Sequence, residues 1–173
     1  MILQPPNERL AIGFDTSLRS TGIGIVRARG NSYSPIYFAP VHVPATRPMS
    51  EALLILDKEV ARVLDEYKPA EAALEGVFFF KNARTSMILC HARGIVVMNC
   101  AKRGIPICEY APTDIKRAVT GVGSAEKAQV QAMVSRILSI PPPIQNDAAD
   151  ALAIAIAHLN RTTGVLAKVP KLL

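Results

Sequence analysis

The order of the strand-like and helix-like segments is the feature that most constrains the fold. Three segments rich in apolar, β-branched and aromatic residues follow one another near the N-terminus, and short turns between them favour an antiparallel meander. Helical and strand-like segments alternate from there on. This order, βββαβαβαα, predicts an α/β fold with a mixed five-stranded sheet flanked by helices. The strands are AIGFDTS, STGIGIVRAR, SYSPIYFAPVHVP, AEAALEGVFF and PICEYA; the helices are EALLILDKEVARVLDEYK, ARTSMILCHARGIVVMNCAKRG, SAEKAQVQAMVSRILSI and a last one from about Asn146 to Asn160.

The chain length predicts one compact domain. Its 173 residues, 50% hydrophobic and 20% charged, are enough to bury a core, and no internal repeat or long linker divides them. We assign residues 1–9 to a polar lead-in, residues 10–160 to the domain, and residues 161–173 to a basic tail that we expect to be loose.

Composition also limits the location and the partners. Apolar stretches such as ALAIAIA are too short to cross a membrane, and the start MILQPPNERL lacks a cationic segment followed by an apolar one. We therefore expect no membrane association, no secretion signal and a cytoplasmic location. The net charge of +6 permits a polyanionic partner.

The cysteines and histidines lack the spacing of metal ligands. An odd number of cysteines without a CxxC pair predicts reduced, buried thiols at Cys90, Cys100 and Cys108. The histidines are equally scattered, which predicts structural roles for His42, His91 and His158.

Four carboxylates stand at the polar ends of apolar segments: Asp15, Glu75, Asp147 and Asp150. An acid in such a place is costly unless a positive partner meets it. Asp15 and Glu75 share one edge of the sheet if the first and fourth strands are neighbours. Asp147 and Asp150 are three apart in the first turn of a helix, so they share a face. We expect the four side chains to converge.

Converging carboxylates without histidine or cysteine predict hard divalent cations, Mg²⁺ or Mn²⁺, rather than zinc. Two such ions can assist phosphodiester hydrolysis without a covalent nucleophile. The alternative is local: Asp147 as a helix N-cap, Asp150 as a first-turn acid and Asp15 as a turn residue. Glu75 resists that alternative because an acid within an apolar strand has no local role.

A basic group lies in GVGSAEKAQ and just before it. Ser124 is the predicted N-cap, which makes Lys127 the third helical residue, where the helix dipole opposes a cation. A phosphate bound there would reverse this penalty, and Lys116 and Arg117 are near in sequence. The alternative is a solvated lysine.

Several segments together resemble the RuvC family of Holliday junction resolvases, from about Ile12 to His158. They are GFDTSLRSTGIGIV, LEGVFFFKNARTS, HARG, CEYAPTDIKRAVTGVGSAEKAQVQAMV and NDAADALAIAIAH. The resemblance implies a ribonuclease-H-like fold and a homodimer that cuts two opposed strands of a four-way DNA junction with Mg²⁺, leaving 5'-phosphate ends. It implies metal-binding and catalytic roles for the four carboxylates, and it suggests a complex with a branch-migration helicase.

The resemblance also assigns the residues after Glu75. It implies that Phe78 stacks at the junction centre, although a strand end rich in phenylalanine is more often core. We expect Lys81, Asn82 and Arg84 to contact phosphates near the scissile bond. The apolar residues of the helix from Met87 to Ala101 cover more than one face, which favours burial against a second subunit.

Two other functions stay open. GFDTSLRSTGIGIV also resembles the first phosphate loop of actin and sugar-kinase folds, which need two such lobes. A catalytically idle junction-binding protein is the other, because Thr16 and Ser17 replace the family's usual proline and glycine, and Gly76 replaces a larger polar residue. We expect a differently built turn after Asp15 and a looser strand after Glu75.

Overall fold

The computed structural model describes residues 8–76, 83–161 and 171–173. Its elements follow the predicted order and add two, a helix after the fifth strand and a two-residue strand at the C-terminus. In chain order they are β1 Glu8–Asp15, β2 Ser20–Arg29, β3 Ser32–His42, α1 Met49–Tyr67, β4 Glu71–Glu75, α2 Ala83–Lys102, β5 Ile107–Tyr110, α3 Pro112–Thr120, α4 Lys127–Leu138, α5 Asn146–Arg161 and β6 Lys171–Leu172.

One mixed sheet runs through the molecule in the order β3-β2-β1-β4-β5-β6. β1, β2 and β3 form the predicted antiparallel meander. β4 lies parallel to β1, and β5 lies parallel to β4. β6 pairs antiparallel with the edge of β5. The mixed sheet flanked by helices is therefore confirmed, and the last residues of the predicted tail extend it by one short strand.

Each face of the sheet carries its own hydrophobic core. Successive strand residues point to opposite faces, so Ala11 packs with α3, α4 and α5, while Ile12 packs with α1 and α2. Both residues are fully buried. The two layers of helices hold β1 and β4 in the centre, and the ends of these two strands are fixed accordingly.

Glycines let α5 lie directly on β1 and β2. A Cβ at Gly13 would sit 2.1 Å from the Ala151 carbonyl oxygen, and one at Gly22 would sit 1.9 Å from that of Asp147. No side chain fits in such a gap, so glycine is required there. The close approach places the first turn of α5 over the ends of β1 and β2.

Some local predictions need correction. Cys90 is exposed, unlike the buried Cys100 and Cys108, because it lies on the outer side of α2 rather than against the sheet. α3 is absent from the predicted order, since its nine residues carry only two buried positions, Ile115 and Val119. Within the described part of the chain, no helix has the length and apolarity that a membrane crossing requires.

Candidate active site

Asp15 and Glu75 end two adjacent parallel strands. Phe14 of β1 pairs with Leu74 of β4, so the two acids that follow stand level at the carboxyl edge of the sheet. This confirms the expected neighbourhood of the first and fourth strands. The shared edge brings both carboxylates to the mouth of one pocket.

The first turns of α5 bring the other two acids to the same edge. Asp150 lines the pocket, and Asp147 lies on its β2 side, where its carboxylate accepts a hydrogen bond from the Ser20 hydroxyl. The remaining lining is apolar or basic. The pocket residues are Asp15, Glu75, Pro112, Ile115, Lys116, Lys127, Val130, Asp150, Ala153 and Ile154.

The acids repel one another across this pocket. Burial raises the pKa of Asp15 to about 7, and the charges of Asp150, Glu75 and Asp147 add to the rise. Burial also raises the pKa of Glu75, followed by the charge of Asp150. A carboxyl group with such a raised pKa has too few positive partners nearby. The pocket therefore attracts cations.

Lys127 offsets part of the negative charge in the pocket. Its Nζ donates to Asp150 Oδ2 at 2.6 Å, and this hydrogen bond raises the lysine pKa. The predicted N-cap at Ser124 is wrong: α4 begins at Lys127, and Glu126 caps it. The Glu126 side chain accepts from the backbone N–H of Gln129, whose side chain accepts from the N–H of Glu126 at 2.8 Å. This reciprocal pair fixes the helix start two residues later than predicted.

The other predicted DNA-contact residues are distributed unevenly. Lys116 lines the pocket and lowers the pKa of Glu75 through its charge. Arg117 is exposed beside the Gly123 turn and donates to Asp114 at 3.2 Å. Arg84 stands exposed in the first turn of α2, outside the pocket lining. Phe78, Lys81 and Asn82 lie outside the described residues.

The turn after Asp15 is built from side-chain hydrogen bonds. The Ser17 N–H donates to Thr21 Oγ1 at 3.1 Å, and the Thr21 hydroxyl donates back to the Ser17 carbonyl. Thr21 is fully buried. This reciprocal pair of hydrogen bonds holds the shape of the turn after Asp15.

The strand end at Glu75 is firmly held, contrary to the expected loosening at Gly76. The Gly76 N–H donates to the Tyr110 carbonyl at 2.8 Å. Arg93 Nη1 donates to the Glu75 carbonyl at 2.8 Å, and Arg93 Nη2 donates to Glu109 Oε2. A Cβ at Gly76 would lie 3.1 Å from Glu109 Oε1, so glycine leaves room for this ion pair.

Sequence reasoning missed two pairs that support the acids, Ser20 with His42 and Arg93 with Glu109. His42 Nδ1 lies 3.0 Å from Ser20 Oγ. The arginine of HARG, a charge within an apolar helix, was the available signal for the second pair. Ser20 and His42 give no such signal in the sequence, because their contact depends on the register of β2 and β3.

The donors fit a hard divalent cation in chemistry. Carboxylate oxygens are what Mg²⁺ and Mn²⁺ prefer, and the mutual repulsion at Asp15 favours a cation. The four carboxylates do not form a ligand cluster: among the described residues, no three histidine, cysteine, aspartate or glutamate side chains are arranged to hold one ion. Asp147 and Asp150 instead contact Ser20 and Lys127.

Comparison with known proteins gives one consistent family. The protein-family model for crossover junction endodeoxyribonuclease RuvC matches residues 11–158. The RuvC of Protochlamydia amoebophila is 40% identical over 153 residues, which are 88% of this chain and 91% of that protein. The RuvC of Ruminiclostridium cellulolyticum is 40% identical over 152 residues, 87% of this chain and 92% of that protein.

Solved structures agree. Thermus thermophilus RuvC in complex with a Holliday junction substrate superposes with a TM-score of 0.88 and 28% identity, covering 95% of this chain and 99% of that one. The yeast mitochondrial resolvase Ydc2 has a TM-score of 0.63 at 12% identity, with 92% and 80% covered, and shows the fold alone. The predicted ribonuclease-H-like fold is confirmed. With the family model and the relatives covering most of its length, the chain belongs to the RuvC family of crossover junction endodeoxyribonucleases.

Proposed function

We propose that this protein is a structure-selective endonuclease that resolves four-way DNA junctions by paired symmetric nicks. The placement of Asp15, Glu75, Asp147 and Asp150 at one edge of the sheet carries the proposal. The family adds the substrate, because a relative of nearly the same length is known in complex with a Holliday junction. The protein would act in DNA recombination and repair.

The four carboxylates would hold Mg²⁺, or Mn²⁺ in its place, as two ions in each active site. When bound, the cations supply Lewis-acid stabilisation of the charge that develops on the phosphate oxygens. Asp15 and Glu75 stand on rigid strands, and Asp147 and Asp150 on a buried helix. Elements packed on both sides keep such ligands in place. Cleavage would leave 5'-phosphate ends.

Basic residues around the pocket would bind the DNA backbone. Lys127 and Lys116 flank the acids directly, so they would contact phosphates beside the cleaved bond. Arg117, Ser124 and Arg84 are exposed further out, where they would position the arms without reading sequence. Phe78, Lys81 and Asn82 are proposed contacts on the strength of the family resemblance.

A homodimer would present two sites to the two opposed strands. α2 supports this: Met87 is 63% and Met98 is 39% exposed on a helix with apolar residues on several sides. A partnership with a branch-migration helicase is a further proposal from the family. A cytoplasmic location follows from the proposed DNA substrate.

The test is a cleavage assay with a synthetic four-way junction and Mg²⁺, with linear duplex as the control substrate. We expect symmetric nicks on the junction only. Asp15→Asn and Asp147→Asn should lose cleavage and keep binding. Asp65→Asn is the same change at an exposed residue of α1 that pairs with Arg103, and this variant should cleave normally. Binding without cutting by the unmodified protein would contradict the enzyme and favour the idle junction-binding alternative.

A further inference from the structure

Ser20 of β2 and His42 of β3 form a hydrogen-bonded chain that ends on the carboxylate of Asp147. The two residues are partners in the antiparallel register of β2 and β3, so their side chains lie on the same face of the sheet. His42 Nδ1 lies 3.0 Å from Ser20 Oγ. The Ser20 hydroxyl donates to Asp147 Oδ2. The strand register thus brings a histidine to within one hydroxyl of an active-site acid.

The direction of donation follows from the number of protons. A carboxylate only accepts hydrogen bonds, and a serine hydroxyl has one proton to give. Since Ser20 gives that proton to Asp147, His42 Nδ1 must carry the proton that it shares with Ser20. The neutral His42 ring is therefore assigned to the Nδ1–H form, and donation runs from His42 through Ser20 to Asp147.

Asp147 is held differently from Asp150. The carboxylate of Asp150 contacts the Lys127 ammonium, which offsets its charge. The carboxylate of Asp147 contacts a neutral hydroxyl, which orients it and leaves its charge available. Its backbone is fixed too, because the Asp147 carbonyl lies against Gly22, where a Cβ would come within 1.9 Å. β2 thus sets both the main chain and the carboxylate of Asp147.

We propose that Ser20 and His42 are positioning residues that orient Asp147 toward the divalent cation. The inference rests on the metal-dependent function proposed above. Hydrogen-bonded partners of ligating groups set their orientation, and losing such a partner typically weakens metal affinity about 10- to 100-fold. Neither residue touches the substrate or the reacting atoms in this proposal.

The first test measures Mn²⁺ affinity without DNA, by calorimetry or electron paramagnetic resonance. Ser20→Ala should weaken binding about tenfold, and His42→Leu should weaken it in the same direction but less. His42→Asn should stay near wild type, because its side-chain amide places an N–H where Nδ1–H was. Ser34→Ala and His91→Leu, the same changes at exposed positions on β3 and α2, should leave the affinity unchanged.

A second test reads the hydrogen-bond chain without metal. Nitrogen-15 NMR at about pH 8.5, where a histidine ring is ordinarily neutral, should show His42 in the Nδ1–H form in the wild type and a mixture of forms in Ser20→Ala. Junction binding measured without divalent cation should match the wild type in Ser20→Ala and His42→Leu.

The outcomes separate the two proposals. A wild-type Mn²⁺ affinity in Ser20→Ala, or an Nε2–H ring at His42, overturns the positioning role alone. Failure of the unmodified protein to bind Mn²⁺ overturns the metal-dependent function, and the positioning role falls with it. Equal weakening by His42→Asn and His42→Leu contradicts the assigned donor at Nδ1.

Discussion

β1, β4 and α5 each carry ionisable residues toward both ends of the sheet, and the surroundings of these residues differ between the two ends. One end, called here the paired end, brings together Arg9, Glu71 and His158. The other, the acidic end, brings together Asp15, Glu75 and Asp150. The elements are the same three, so the contrast depends on the side chains.

At the paired end, Arg9 and His158 balance the negative charge of Glu71. Arg9 donates to it through Nε at 2.8 Å and Nη2 at 2.6 Å, and His158 Nε2 lies 2.8 Å away. Tyr110 in turn contacts His158 Nδ1 at 2.7 Å. Burial opposes ionisation of Glu71, but the hydrogen bonds from His158 and Arg9 outweigh it and lower its pKa to about 2.

At the acidic end, burial and three other acids raise the pKa of Asp15 to about 7. Folding therefore favours the charge of Glu71 and opposes that of Asp15. An end with matched partners stabilises the fold, whereas an end with surplus charge is poised for a ligand. Unfavourable charge that is kept in the folded protein is typical of functional sites.

Asp15→Asn gives the largest expected effect. Removing one buried, repelled charge should raise the free energy of unfolding at pH 7 by roughly 2 to 4 kcal/mol. Junction cleavage should fall at least about 100-fold, as the proposed metal-binding role of Asp15 requires. Chemical denaturation and cleavage rates measure the two effects. A loss of stability would contradict the raised pKa of Asp15.

Glu71→Gln should have the opposite effect on stability. The variant removes the negative charge that Arg9 and His158 contact, so unfolding should become easier by about 2 kcal/mol. Cleavage per folded molecule should not change. Glu66→Gln on α1, where the ion pair with Arg62 is half exposed, should cost less than about 0.5 kcal/mol. Equal losses in the two variants would remove the distinction between a buried network and a surface pair.

Lowering the pH should remove the stability that Glu71 contributes at the paired end. The pKa of Glu71 is lowered from 4.5 to about 2, so its contribution is complete above pH 4.5 and is lost as the pH falls through 2. The stability difference between wild type and Glu71→Gln should therefore shrink steadily over that range. Denaturation curves at a series of pH values measure it, and a constant difference would contradict the lowered pKa.

The sequence predicted the acidic end better than the paired end. Asp15 and Glu75 terminate apolar runs, and runs of that kind mark buried strands, so their meeting at one edge required only that β1 and β4 be neighbours. The spacing of Asp147 and Asp150 placed them on one helix face. Glu71 begins its strand and gave no such signal, because Arg9 and His158 reach it from distant parts of the chain.

Two local details were not recovered by the sequence-based prediction. α4 starts at Lys127 because Glu126 and Gln129 cap it together, whereas serine is the commoner cap and Ser124 was the nearest one. β6 exists because two residues pair with the free edge of β5, and so short a segment has no periodicity to read. A local capping pair decided the first, and pairing with a distant strand decided the second.

Arg93→Gln tests whether the acidic end depends on support from α2. Arg93 contacts the Glu75 carbonyl and Glu109, so its loss should lower the rate constant of cleavage about tenfold, with junction affinity unchanged. Arg93→Lys should restore part of the rate, because it retains a donor and the charge. Single-turnover kinetics separate rate from binding. Arg62→Gln, on the exposed side of α1, is the control and should behave as wild type.

Lys127→Ala should give the smallest change, in the salt dependence of junction binding. Lys127 is the cation that contacts Asp150 at 2.6 Å, and a phosphate near it would gain one counterion-releasing contact. Without the lysine, the slope of log affinity against log salt should decrease by about 0.9, the value for one phosphate contact. Lys58→Ala, at an exposed position on α1, should keep the wild-type slope. An unchanged slope in Lys127→Ala would confine this lysine to its pair with Asp150, and the acidic end would then bind DNA through other cations.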